Sequence, residues 1–257
     1  QISVPDYVET EHIVNAFNEL LGRMRTLDES RQEFVSNVSH ELKTPITSMK
    51  VLADSLISQE DVPIGLYKEF MTDIAEEIER ENKIITDLLS LVKMDKTSAN
   101  LNIENRNLNE LIELILKRLR PIAKQRNIDV LYESAREVFA EIDEVKLTLA
   151  ISNLVENAIK YNKEYGYVKV SLDADHQFAT IMVEDNGIGI PEEAQEHIFE
   201  RFYRVDKSPS REIGGTGLGL AIARNAILLH RGSIKIDSEE GQGTVFTVKI
   251  PIIYVSK

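Results

Sequence analysis

The sequence contains no cysteine, and it has few of the residues that mark special architectures. Among its 257 residues there is no thiol, which excludes a disulfide framework and every thiolate metal site and fits a reducing compartment. The 12 glycines and 7 prolines are too few for a collagen-like or low-complexity chain. No apolar run approaches the ~20 residues of a membrane span. The first residues lack the regions of a signal peptide, and Gln1 in place of Met suggests a piece of a longer protein.

Basic side chains are outnumbered by acidic ones. The sequence has 43 acidic and 30 basic side chains, so its net charge is −13. Long-range repulsion from nucleic acids and anionic membranes follows from this charge, so we expect no nucleic-acid partner. The hydrophobic share of 42% and the charged share of 28% are typical of a folded globular protein.

The first part of the sequence, to about residue 96, is typical of long helices. Apolar residues recur there at three- and four-residue steps in two stripes, Phe34 to Leu56 and Phe70 to Val92, separated by a turn near residues 58–63. Two such helices form an antiparallel hairpin. One hairpin cannot cover both stripes, so we expect a homodimer in which two hairpins form a four-helix bundle. We place a domain boundary in the polar segment 97–106.

The second part alternates between helical and strand-like patterns. It predicts an α+β sandwich in which helices cover one sheet of mostly sequential strands. The expected helices span residues 107–126, 143–161 and 218–230. The expected strands span residues 128–132, 138–141, 167–172, 178–184, 233–238 and 243–251, with a long loop over 185–215.

His40 is the first candidate for chemistry. Its helical neighbours are all polar, which predicts an exposed imidazole opposite the apolar stripe: Ser36, Asn37, Lys43 and Thr44. The adjacent Glu41 could orient the ring and raise its basicity. Pro45 inside a helix costs about 3 kcal/mol, which suggests that the local shape is used. The alternative is that His40 is an ordinary surface histidine. The remaining histidines show no ligand-like spacing, so the sequence predicts no zinc site.

Three later segments could hold a nucleotide. Asn153, Asn157, Lys160 and Tyr161 share one helix face, where an amide oxygen suits Mg²⁺, a lysine suits phosphate and a tyrosine can stack on a base. Alternatively, this face is simply solvated. The Asp185-Asn-Gly-Ile-Gly segment follows a strand. Gly187 and Gly189 allow close approach of the backbone to a ligand, and Asp185 can accept the amino hydrogens of adenine. Alternatively, this segment is a tight turn with an acidic cap.

The third segment, Gly214-Gly-Thr-Gly-Leu-Gly, leads into a helix and could cradle phosphates. It is neither a Walker loop nor a dinucleotide fingerprint, because it lacks their spacing. Arg204, between the glycine motifs, could reach a γ-phosphate.

Together these segments resemble those of a known family. Ser39 to Pro45 resembles the H-box of sensor histidine kinases, and the later segments resemble, in order, the N, G1, F and G2 boxes of the Bergerat-type ATP-binding fold. Gly241 to Thr244 resembles the last glycine box, and Ile13 to Leu20 resembles the end of a HAMP linker. The resemblance implies a signalling helix over 1–30, a dimerisation and histidine phosphotransfer domain over 31–98, and an ATP-binding domain over 99–257.

The resemblance also implies a function. His40 would take the γ-phosphoryl group of ATP, with Glu41 as base or orienting group, and pass it to an aspartate of a response regulator receiver domain. Thr44 would support phosphatase activity, Asn157 would bind Mg²⁺, and residues 191–214 would form a mobile lid. The nucleotide would be held by Asn153, Lys160, Tyr161, Asp185, Gly187, Gly189, Arg204, Gly215, Thr216, Gly217, Leu218 and Gly219.

The resemblance implies the cytoplasmic portion of a membrane sensor, attached to the membrane only through segments that precede this sequence. Two alternatives stay open. One is an ATP-driven clamp of the gyrase or heat-shock type, against which Asn153 argues because an amide cannot activate water. The other is an inactive dimeric scaffold, which would be expected to have lost some of these motifs.

Overall fold

A computed structural model describes residues 8–58, 62–96, 101–205 and 215–254 of the chain. These residues form two compact units, Gln1–Ile84 and Ile85–Lys257. Within the described ranges, no helix combines the length and apolar character that crossing a bilayer requires.

Two long helices are present, as the apolar stripes predicted, and they form the first unit except for the last turns of the second helix, which belong to the second unit. Helix α1 spans Val8–Ile57 and helix α2 spans Ile64–Lys96. Pro45 lies inside α1, and α1 continues through residue 30, so the expected domain division at that point falls within one helix and stays a prediction. Apolar side chains such as Ile46 and Val51 remain exposed on this single copy, which agrees with a bundle that a second copy completes.

The second unit contains a mixed five-stranded sheet and a separate two-stranded sheet. The larger sheet has the order β2-β4-β5-β7-β6, with β2 parallel to β4 and the other neighbours antiparallel. The smaller sheet pairs β1 with β3. The strands are β1 Glu104–Asn107, β2 Asp129–Ser134, β3 Phe139–Ile142, β4 Tyr167–Ala174, β5 Phe178–Asp185, β6 Ser233–Glu239 and β7 Gly243–Pro251.

The expectation of one sheet was therefore wrong, and β1 was not predicted. Strand β1 has the sequence Glu-Asn-Arg-Asn, which shows no apolar alternation because all four side chains are polar, and three of them are exposed. Its pairing with β3 also removes β3 from the larger sheet. The other predicted helices and strands are present within a few residues of their expected bounds.

Among the described residues of the second unit, four further helices are present: α3 Leu108–Gln125, α4 Glu144–Lys160, α5 Glu192–Gln195 and α6 Gly219–Leu229. Helix α4 contacts both α3 and α6. Alternate residues of β4 and β5 point into the core with these helices, as Val168, Val170, Ile181 and Val183 show by their complete burial. The sheet and α4 therefore hold the ends of several loops in fixed positions.

A buried histidine joins the helices at one end of this core. His230, directly after α6, is 1% exposed. Its Nδ1 lies 2.7 Å from the carbonyl oxygen of Ala226, and its Nε2 accepts the backbone N–H of Asp143 at 2.9 Å. Asp143 is the N-cap of α4 and accepts the backbone N–H of Lys146. The end of α6 is thus attached to the beginning of α4.

Candidate active site

His40 lies on α1 in the first unit, and its side chain is exposed as the sequence predicted. One turn further along, the Thr44 hydroxyl donates a hydrogen bond to the carbonyl oxygen of His40 at 3.1 Å. Glu41 is half-buried and Pro45 is buried. The imidazole is therefore accessible, and Thr44 makes a local backbone contact one turn further along α1.

In the second unit, the last turns of α4 carry the polar face that the sequence indicated. Lys160 Nζ donates to the Tyr161 hydroxyl at 3.2 Å and lies 4.7 Å from the centroid of that ring. The same ammonium group lies directly against Gly215. The lysine therefore connects the end of α4 to the beginning of the glycine loop, which we define as residues 215–219.

Two asparagines share this face of α4. Asn153 lies beside Gly219, because a Cβ atom there would be 2.9 Å from Asn153 Oδ1. Its amide group donates to the carbonyl oxygen of Leu149 at 3.0 Å. Asn157, one turn later, is half-buried, and its carbonyl accepts the N–H of Tyr161. An amide oxygen at this place has the hard character that Mg²⁺ prefers, so the donor set fits the expected metal.

Asp185 ends β5 and is only 8% exposed. Burial raises the pKa of its carboxyl group to about 6, although hydrogen bonds from the N–H groups of Gly187 and Thr244 oppose the rise. The bond from Gly187 measures 2.8 Å. A buried carboxylate with a raised pKa and few partners gains much from a ligand that donates hydrogen bonds to it.

The residues after Asp185 return to the end of α4. The N–H of Ile188 donates to the carbonyl oxygen of Tyr161 at 3.1 Å. A Cβ atom on Gly187 would collide with that same carbonyl group, so a glycine is needed for this close approach. Asp185 and Tyr161, expected to hold adenine together, are thus brought together by the backbone.

The glycine loop packs against Phe202, which lies between the two glycine motifs. Gly217 has a φ of +67°, and a Cβ atom there would lie 2.8 Å from the backbone of Phe202. The N–H of Phe202 in turn donates to the carbonyl oxygen of Gly217 at 3.0 Å. Both the left-handed conformation and the close contact require glycine at this position.

Helix α6 begins at Gly219, the last residue of this loop. Its N-cap is Leu218, which makes no side-chain capping bond. Thr216 Oγ1 accepts the N–H of Leu218 at 3.2 Å. The first N–H groups of a helix lack partners within the helix and attract anions. This end of α6 is therefore suited to phosphate oxygens.

Arg204 and Gly189 are two further residues that were expected in the nucleotide site. Burial raises the pKa of Tyr161, and the positive charge of Arg204 opposes that rise, so the guanidinium group acts on the tyrosine electrostatically. Gly189 packs against the backbone of Glu239, with a φ of +68°. Part of the expected lid, residues 206–214, lies outside the described residues, and α5 lies in the remainder.

Two residues in contact with this region were missed in the sequence. Arg126 Nη1 donates to the carbonyl oxygens of Lys160 at 2.6 Å and Ile159 at 3.4 Å. Asp87, on α2, accepts a hydrogen bond from Thr216 at 3.0 Å. Asp87 had a recognisable signal, since a carboxylate lies in the apolar stripe between Ile84 and Leu91. Arg126 had none, because a basic residue at a helix end is ordinary.

Known protein families match both parts of the chain. The His Kinase A (phospho-acceptor) domain matches residues 30–97, and the histidine kinase-, DNA gyrase B- and HSP90-like ATPase family matches residues 142–253. A solved catalytic domain of histidine kinase ThkA is 32% identical, with a TM-score of 0.53 over 60% of this chain and 97% of that one. The chain belongs to the sensor histidine kinases of two-component systems.

Longer relatives show the same relationship. The chain is 38% identical over 228 residues to Sensor histidine kinase WalK of Bacillus subtilis. The aligned region covers 88% of this chain and 37% of the relative. It therefore spans little more than a third of that relative. The crystal structure of ThkA in complex with the response regulator protein TrrA matches with a TM-score of 0.71 at 27% identity, over 97% of this chain and 69% of that one.

Proposed function

We propose that the second unit binds ATP and that His40 accepts its γ-phosphoryl group, which then passes to an aspartate of a response regulator receiver domain. The observation that carries this proposal is the convergence of Lys160, Tyr161 and the glycine loop on one face of α4, in a chain that also presents an exposed His40. A nucleotide site and a separate nucleophile are the two parts that such a transfer needs.

The nucleotide would lie across the end of α4. Asp185 would accept the exocyclic amino hydrogens of adenine, which distinguishes adenine from guanine, and Tyr161 would contact the base. Lys160, Arg204 and the first N–H groups of α6 would contact the phosphates. Positive charge and helix dipole at that point would stabilise the charge on the transferring group, which is the main requirement of phosphoryl transfer.

In the transfer step, an imidazole nitrogen of His40 attacks the γ-phosphorus, and the bond from that phosphorus to the β,γ-bridging oxygen breaks. ADP leaves with the bond electrons. The proton of the attacking imidazole passes to Glu41 or to solvent. Mg²⁺, when bound with the oxygen of Asn157 as a ligand, would neutralise charge on the phosphates.

We extend the proposal in two respects. Thr44 lies on the same accessible surface as His40, so we assign to it the dephosphorylation of the phosphorylated regulator. We also assign the chain to the cytoplasmic side of a longer membrane sensor, an assignment supported by its match to only part of a sensor histidine kinase.

An ATP-driven clamp remains the competing function, and Asn153 argues against it. A clamp needs a group that removes a proton from water near the nucleotide. Asn153 lies at the corresponding place on α4, and its amide donates to Leu149 instead. An amide has no basic lone pair for this task, so hydrolysis of ATP by water should be slow.

The direct test is incubation of the protein with γ-labelled ATP and Mg²⁺. We expect label on the protein and its loss with His40→Gln, while His12→Gln, a change at another exposed histidine of α1, keeps it. The labelled bond should break in acid and survive in base, as a phosphoramidate does. Label that persists on His40→Gln, or free phosphate without labelled protein, would refute the proposal.

A further inference from the structure

The last turns of α2 belong to the second unit, because the division between the units falls after Ile84. Leu91 is fully buried and Met94 nearly so, and both belong to the apolar cluster of the second unit. We call residues 87–94 of α2 the docked segment. Its apolar side chains account for its attachment to this unit.

One charged residue in the docked segment contacts the glycine loop. Asp87 is 8% exposed, although carboxylates are rarely buried. Its Oδ2 accepts the hydroxyl hydrogen of Thr216 at 3.0 Å, and the same hydroxyl oxygen accepts the N–H of Leu218 at 3.2 Å. Thr216 therefore connects the carboxylate of Asp87 to the beginning of α6.

This connection gives the glycine loop an anion from within the chain. The positive end of α6 attracts negative charge, and Asp87 supplies it through Thr216. Under the proposed function, the phosphates of ATP occupy the same end of the same helix. Two anions this close repel each other in a partly buried site, so the contact of Asp87 and the binding of phosphates oppose each other.

We propose, building on the proposed ATP site, that Asp87 is a positioning residue that lowers the affinity of the glycine loop for nucleotide phosphates. Its carboxylate bonds to Thr216 in the loop, and the phosphates of ATP displace it. By thermodynamic reciprocity, the factor by which Asp87 weakens ATP binding is the factor by which ATP weakens the docking of the α2 segment.

The contact of Asp87 also couples the nucleotide site to helix α2. Helix α2 is one continuous helix from Ile64 to Lys96, so it contributes residues to the unit that contains His40 and to the unit that binds the nucleotide. Release of the docked segment on ATP binding would report the occupancy of the nucleotide site to the helix. The docked segment is then attached to the second unit when Asp87 occupies the glycine loop, and it is released when the triphosphate of ATP does.

The first test measures affinity. Asp87→Asn keeps the side-chain shape and removes the charge, and we expect it to bind a non-hydrolysable ATP analogue with Mg²⁺ about tenfold more tightly by calorimetry. Asp73→Asn is the matched control, since it removes one carboxylate from the same helix within the first unit. Adenosine, which lacks phosphates, should bind equally to wild type and Asp87→Asn in an NMR titration.

The second test measures the docked segment itself. Amide hydrogen exchange over residues 87–94 should become faster when wild type binds the analogue, and it should already be fast in nucleotide-free Asp87→Asn. Equal or weaker binding by Asp87→Asn relative to Asp73→Asn would overturn the inference, as would tighter binding of adenosine. Failure of wild type to bind the analogue at all would instead refute the proposed function.

Discussion

His230 accepts the backbone N–H of Asp143 through its Nε2, across a distance of 2.9 Å in the buried core. Its Nδ1 must then carry the hydrogen that Ala226 accepts, so both ring nitrogens are occupied in the neutral form. Burial lowers the pKa of His230. Protonation of Nε2 would place its hydrogen against the N–H of Asp143. The folded state therefore favours the neutral imidazole.

We therefore predict that the contribution of His230 to stability falls as the solution becomes mildly acidic. Because the folded-state pKa of His230 lies below its unfolded value of 6.5, the unfolded chain binds the proton first. The stabilisation is complete above pH 6.5 and is lost progressively below it, by about 1.4 kcal/mol for each unit of pKa difference. Chemical denaturation of wild type and His230→Gln from pH 8 to 5 measures this effect, and an equally steep decline in both would contradict it.

Asp185→Asn should separate stability from binding. The raised pKa of Asp185, about 6 against 3.8, means that its contribution to stability decreases as pH rises through 4 to 6. Removing the charge should stabilise the nucleotide-free protein at pH 7.5 by up to about 3 kcal/mol, and the gain should vanish near pH 4. Thermal unfolding measures the gain, and ATP titration should show lost binding.

The control for this substitution is Asp237→Asn, which changes an exposed carboxylate on β6. It should alter neither melting temperature nor ATP affinity. A lower melting temperature for Asp185→Asn at pH 7.5 would show that the carboxylate is stabilising as it stands.

Arg126 should support the nucleotide site without touching the nucleotide. Its guanidinium holds the last carbonyl groups of α4, next to Lys160 and Tyr161, and its charge complements the negative end of that helix. Arg126→Ala should weaken ATP binding severalfold and lower the unfolding free energy by about 1 kcal/mol. Arg120→Ala, at an exposed position on α3, should leave ATP affinity unchanged in the same calorimetric titration.

Thr44→Ala should slow dephosphorylation of the phosphorylated regulator and leave labelling of His40 intact. Thr47 provides a matched control, because its hydroxyl donates to the carbonyl oxygen of Lys43 at 2.8 Å in the same geometry that Thr44 uses. If the backbone bond were the whole role of Thr44, Thr44→Ala and Thr47→Ala would give equal lifetimes of the regulator's phosphate. We expect a longer lifetime only for Thr44→Ala.

Local signals in the sequence predicted most of the fold. The apolar stripes predicted α1 and α2, and the helix expected over residues 143–161 is α4, which Asp143 caps by accepting the N–H of Lys146. What was missed depends on distant pairing. Strand β1 has no apolar alternation, and the parallel pairing of β2 with β4 brings together strands separated by β3 and α4.

In the nucleotide site, too, neighbours in the sequence were predicted together and distant partners were missed. Residues in one motif, such as Lys160 and Tyr161, were expected to act together and do lie in contact. Asp87 and Thr216 are 129 positions apart, and no spacing in the sequence could connect them. A buried carboxylate in an apolar stripe indicated that a partner existed but not which residue it was.

Strand β6 lies at one edge of the five-stranded sheet, where it could recruit a strand from another molecule. Its exposed side chains alternate along the strand and include Lys235, Asp237 and Glu239. Charges of both signs at a sheet edge disfavour the stacking of strands from separate chains. The β6 edge of this sheet is therefore protected against pairing with a strand of another molecule, and neutral substitutions at these three positions would weaken that protection.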